Sequence, residues 1–189
     1  MLNKSLLCLF CMACATSSLA NNADWNFSIA LGKMFDLKKY KIGQEGIINV
    51  KEPKILELDL VKNDGLGLMY LGTFKKAGSF RVDIGQDVSP AQKYDFHGIY
   101  ASYQNELIDS LATKLFLGYS YQSIKNASGI SSEYNPSYGI SSSYKFNLDK
   151  QIKAIATCGY LKQDSIDYPG YKNISGTGLF CNLGISSSI

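Results

Sequence analysis

Few residues in this chain are placed to do chemistry. Glu57 and Asp59 alternate with Leu56, Leu58 and Leu60, and Arg81 and Asp83 alternate with Phe80, Val82 and Ile84. If both segments are strands, the four charges fall on polar faces. Enclosed together they would have to pair, because an unpaired buried charge is very costly. Such a network has two uses: a constriction that selects ions, or a solid plug that keeps the surrounding structure rigid. His97 is the one histidine. A serine hydrolase or acyltransferase needs a histidine beside a serine and a carboxylate, and no His-x-Ser or Gly-x-Ser-x-Gly pattern occurs. Alternation puts His97 on the face of Ile99 and Tyr103, near a strand end, which reads as an interfacial or loop-base side chain. Cys158 and Cys181 are centred on Tyr168-Pro169-Gly170-Tyr171, a turn sequence. A hairpin there sets the two cysteines opposite each other on one face, as a cross-strand disulfide or as two lipid-facing thiols. One histidine and two cysteines make no metal set. Neither a catalytic nor a cofactor-binding constellation is found, so no enzyme activity and no cofactor are expected.

The elements that must position these residues are strands. Trp25, Phe27, Ile29 and Leu31 alternate with Asn26, Ser28, Ala30 and Gly32. The same period of two recurs at Ile99–Tyr103, Leu115–Tyr121, Tyr138–Phe146 and Leu179–Ile185. The segments 66–74 and 152–161 alternate less cleanly but are rich in β-formers. Lys62-Asn63-Asp64-Gly65, Lys75-Lys76-Ala77-Gly78 and Asn147-Leu148-Asp149-Lys150 are tight-turn candidates. Longer polar connections are expected at 35–54, 123–136 and 163–174, and Asn105 to Ala112 also reads as a connection.

One face of these strands is Leu, Ile, Val, Phe and Tyr; the other is mostly Gly, Ser, Asn and Gln. A wet face would carry more Lys, Glu and Thr. Small residues instead point to a crowded interior, so the expected fold is all-β, a closed antiparallel up-and-down transmembrane β-barrel. The apolar face then meets lipid, and closure satisfies every backbone group. Nine strand candidates strain against the even number of bacterial barrels. Ten strands result if Gly46 to Lys51 adds one. Eight, the favoured number, result if the barrel begins near Lys54 and the N-terminal segment packs elsewhere. Tyr94, Tyr103, Tyr121, Tyr138, Tyr144 and Tyr160 sit near segment ends, as aromatic girdles would.

The first 20 residues read as a cleaved signal peptide: Lys4, then an apolar run from Ser5 to Ala15, then Ser18-Leu19-Ala20. Residues 21–189 form one domain. The net charge of +3 becomes +2 without Lys4, and no basic run implies nucleic acid as a partner.

The C-terminal residues complete the pattern. Asn182, Gly184 and the final Ile189 match the terminal signature of outer-membrane barrels, while Ser187 and the missing final aromatic depart from it. With the signal peptide and the alternation, the chain resembles the small OmpA/OmpX/opacity-type barrel superfamily. That resemblance implies residence in the cell outer membrane, contact with its lipid, insertion by the outer-membrane assembly machinery, and surface loops for host or other surface ligands. The role implied is structural, surface-binding or small-pore. Two alternatives stand beside it: a lipid A-modifying barrel enzyme, which needs a polar catalytic cluster on the lipid face, and a soluble lipocalin-like periplasmic carrier, with the apolar face lining a cavity.

Overall fold

A computed structural model describes residues 25–35, 41–42, 46–50, 53–74, 79–84, 87–88, 92–126, 129–164, 166–168, 171–174 and 177–189. The expected signal peptide and the expected turn at 75–78 lie outside them. The elements are β1 (Trp25–Phe35), β2 (Lys41–Ile42), β3 (Gly46–Val50), β4 (Lys54–Lys62), β5 (Leu66–Thr73), β6 (Ser79–Ile84), β7 (Asp87–Val88), β8 (Gln92–Ile108), β9 (Leu111–Asn126), β10 (Gly129–Asn147), β11 (Ile152–Gln163), β12 (Ile166–Tyr168), β13 (Tyr171–Ile174) and β14 (Gly178–Ser188).

Eight of these close into a barrel in the cyclic order β1-β4-β5-β8-β9-β10-β11-β14, every neighbour antiparallel. The stagger can be walked. From Tyr121 the pairing runs to His97, Gly72, Leu56, Leu31, Leu183, Ala156, Tyr144 and back to β9 at Leu111, ten residues below the start. Eight strands with that offset tilt by about 40°. At one end lie Trp25 and Ile189, tied by Ile189 N–H to Trp25 O at 2.8 Å, and three short turns. Gly65 closes the β4–β5 turn at φ 91°, a backbone shape that favours glycine. Asp64 Oδ1 accepts from Leu66 N–H at 3.1 Å in that turn. All the long connections leave the other end; in outer-membrane barrels short turns are periplasmic and long connections extracellular, and the two ends are named by that rule.

Eight is the expected count, reached differently from expectation. The N-terminal segment does not pack elsewhere: β1 is a wall strand, closing the barrel between β14 and β4. The segment at Phe80 is not a wall strand. Ile55 pairs with Thr73 on the wall, and Val50 pairs with Phe80 beyond it. From one pairing to the next the numbering advances by five on one side and seven on the other, so β3–β6 lies beyond the β4–β5 pair and outside the wall. β1 therefore ends and β4 begins at the end opposite the short turns. Two other expected connections are strand: β8 reaches Ile108 and turns at Asp109-Ser110, and β9–β10 runs unbroken to Asn126 and Gly129. Above its last pairing with β11, β10 continues for eight residues, about 27 Å along the strand.

The faces fall as the alternation requires. Leu117 and Leu183 are 64% and 72% exposed on the outer wall, while Ser120 and Ser141 are 0% and 3% exposed inside. Tyr103 and Tyr144 mark the periplasmic rim, and Tyr121, Tyr138 and Tyr160 the extracellular one. The side chain of Tyr94 lies outside the described residues.

Candidate functional site

The lower half of the lumen is built around Lys114, on the inner face of β9. Its ammonium donates to Glu57 Oε1 at 3.3 Å and to Asp59 Oδ2, both from β4 across the barrel. Asn182 on β14 donates to Glu57 Oε2 at 2.6 Å. All four side chains are buried. Below them is a chamber of about 20 Å³, lined by Ser28, Asp59, Gln104, Ser143 and Thr157 among others. It adjoins a polar vestibule of about 460 Å³ at the periplasmic mouth, where Lys145 pairs with Glu106.

Above the charges the lumen is filled by rings and aliphatic side chains. Tyr100 meets Phe116 edge-on, with centroids 5.3 Å apart, and Phe116 lies 6.3 Å from Phe180. Met34, Ile55, Met69, Leu71, Phe96 and Leu161 pack around them, each fully buried. The glycines of this face make the room. A Cβ at Gly139 would lie 2.3 Å from Phe116 Cζ, and one at Gly98 would strike the Tyr100 hydroxyl. A polar lid follows, with Gln122 donating to the Asp164 carbonyl at 3.0 Å and Thr177 to that of Gln163 at 3.1 Å.

His97 faces outward near the extracellular rim. Its Nδ1 lies 2.7 Å from the Tyr70 hydroxyl, and its Nε2 lies 3.4 Å from Asp95 Oδ2. With the proton on Nε2, Asp95 orients the ring and Tyr70 donates to Nδ1. The sequence pattern assembled no polar cluster on the lipid face; β5 and β8 bring this one together, because Gly72 beside His97 leaves space for both groups. Cys158 and Cys181 are direct partners across β11 and β14, with Cα atoms 4.2 Å apart and their sulfurs joined, on the outer face.

Comparison with protein-family models and with curated sequences returns no match. Solved structures do match. OprG from Pseudomonas aeruginosa superposes with a TM-score of 0.58 at 12% identity, over 88% of this chain and 96% of that one. Neisserial surface protein A gives 0.49 at 10%, over 87% and 96%. Ail of Yersinia pestis gives 0.47 at 13%, over 87% and 97%. Of these three, the OprG superposition is close enough to bear on the fold. The chain has the fold of a small outer-membrane β-barrel. Its apolar belt and closed hydrogen bonding fit that setting physically, since a bare belt of this kind needs lipid around it.

Within this barrel, two of the four charges expected to share the lumen do so: Glu57 and Asp59. Arg81 and Asp83 belong to β6, in the outward ribbon and not in the wall, and their side chains lie outside the described residues. The cation that pairs with the two carboxylates is Lys114. Its signal was present, since it precedes Leu115 and so falls on the inner face with Phe116 and Ser120. The carrier alternative is overturned by the same alternation: the apolar face is the outer wall, and the lumen is packed with side chains.

Proposed function

We propose that this outer-membrane barrel acts at its surface and that its lumen is a plug. The packed layer of Tyr100, Phe116 and Phe180 carries the reading, because its rings and the buried side chains around them occupy the lumen beyond the vestibule. The parts that reach beyond the lipid are the β3–β6 ribbon and the β9–β10 hairpin, where Ile130 and Tyr134 are exposed. Those are the elements that would meet a host or other surface ligand, while the belt meets lipid and β14, with Asn182, Gly184 and Ile189, would be read by the assembly machinery. Residues 1–20 would be removed on export. The test is binding of proteoliposomes bearing the full barrel to a panel of host-cell and matrix surfaces, against a version with β9–β10 shortened to the rim. Binding lost on shortening supports the reading; equal binding by both overturns it.

One observation favours a second reading, an enzyme acting on outer-leaflet lipid A: the Asp95–His97–Tyr70 array on the lipid face has the order of an orienting carboxylate, a base and a hydroxyl. Mass spectra of lipid A from cells expressing the wild type and His97→Ala decide it. A product peak that vanishes with His97→Ala supports an enzyme, and identical spectra reject one. We also infer that Cys158–Cys181 is closed in the exported protein, as a structural bond. No alkylation of the unfolded, unreduced chain is expected; two thiols alkylated without reductant would refute it.

A further inference from the structure

We propose that a recess in the outer wall beside the disulfide seats one lipid A molecule, with an acyl chain in the recess and a phosphate on Lys33 and Lys54. The recess has a volume of about 450 Å³. Cys158, Cys181 and Ser142 form its floor, and Phe35, Ile140, Tyr160 and Leu179 stand around it. The register explains the hollow. Ser142, Cys158, Cys181 and Lys33 are direct partners in turn across β10, β11, β14 and β1, and Lys33 is then paired with Lys54 on β4. On the same outer face, the row above is Ile140, Tyr160, Leu179 and Phe35, and the row below includes Tyr144, Leu183 and Leu31. Those flanking side chains are large and exposed, so the disulfide and Ser142 lie at the bottom of a trough in a wall that faces lipid.

The charges at the upper end of the trough name the occupant. Followed from β10 to β4, the row climbs with the stagger of the barrel toward the extracellular end. Lys54 is the first residue of β4, and Lys33 stands two before the end of β1. Their neighbours Met34 and Ile55 are buried in the lumen, so both lysines face out, and both are exposed. Like charges directly opposite each other on paired strands repel, and an anion placed between them turns that repulsion into attraction. Lysine binds phosphate as a point charge. From Ser142 to Lys33 the trough crosses three strand spacings, about 14 Å, which lays out an acyl chain running down into the belt from such a phosphate. A free phosphate would leave the trough empty, and an uncharged lipid would leave the lysines unanswered. Lipid A carries both groups and belongs to the leaflet at this end of the barrel. The proposal needs the outer-membrane setting, and neither the lumen plug nor the Tyr70–His97–Asp95 array on β5 and β8.

The experiment is native mass spectrometry of the full barrel refolded in detergent micelles, offered lipid A, lipid A stripped of its phosphates, or phosphatidylglycerol at equal concentration. One lipid A per barrel is expected, held about tenfold more tightly than either of the others. Lys33→Gln combined with Lys54→Gln is expected to abolish that preference. Lys150→Gln, in the turn at the opposite end, removes a like charge and is expected to keep it. Ser142→Phe fills the trough, leaves both lysines in place and is expected to weaken retention. All four side chains are exposed on the outside of the barrel, so the variants are expected to fold as the wild type does. Equal retention of the phosphate-stripped lipid, or full preference in the double lysine variant, would overturn the phosphate contact. Full retention by Ser142→Phe would overturn the trough, and equal retention of phosphatidylglycerol would overturn the choice of lipid A.

Discussion

The two halves of the lumen solve the same packing problem with opposite chemistry. Near the periplasm, β4, β9 and β14 meet through Lys114, Glu57, Asp59 and Asn182. Toward the cell exterior, β8, β9 and β14 meet through Tyr100, Phe116 and Phe180. Charge sits where an open, polar vestibule adjoins it, and rings sit where glycines leave them room. The lower half holds its strands by interactions that fail badly when one partner is lost. The upper half holds them by volume, which fails by degrees.

The largest expected effect follows from that asymmetry. Lys114→Met leaves two buried carboxylates unpaired and is expected to cost about 3–5 kcal/mol in urea unfolding. Adding Glu57→Gln and Asp59→Asn to it should recover most of the loss; no recovery would mean that Lys114 acts by packing. Phe116→Ala, in the upper half, removes the ring that touches both neighbours and is expected to cost about 3 kcal/mol by the same measurement. Gly139→Val fills the space over which the Phe116 ring lies and should cost about 1–3 kcal/mol. Combined with Phe116→Ala it should lose only the ring's share of that cost, because the Tyr160 carbonyl lies 2.2 Å from a Cβ at the same position, and a double-mutant cycle reads that share. The smallest effect belongs outside both halves. Leu66 N–H, and after it Lys62, hold the Asp64 carboxyl below the usual carboxylate range. Its folded value is thus below its unfolded one, so its contribution is present above the unfolded value and is lost as pH falls through the folded one. Asp64→Asn should remove that slight acid sensitivity and leave the midpoint at neutral pH nearly unchanged.

Much of this was legible in the alternation. Leu117 against Ser120 and Ile140 against Ser141 put lipid and lumen on the correct sides, and the sequence midpoint of the two cysteines, at Tyr168-Pro169-Gly170-Tyr171, set them opposite each other with disulfide and free thiols both open. Tyr100, Phe116 and Phe180 were visible on the small-residue face, but period alone does not say that three rings from three strands meet in one layer. The ribbon beyond Pro53 was hidden for a related reason. A strand that prolongs its neighbour and a strand that crosses the wall share one pattern, and pairing partners distinguish them. Lys114 could have been placed by parity, whereas its partner β4 depends on the ten-residue stagger, which is a property of the closed barrel. The Tyr70–His97–Asp95 contact likewise needed the register of β5 against β8.

The plug is tested most directly by single-channel recording of the refolded wild-type barrel in a planar bilayer. A closed ring layer predicts a flat baseline, with conductance steps only once Phe116 and Phe180 are both cut back to Ala. Regular steps from the wild type would contradict it.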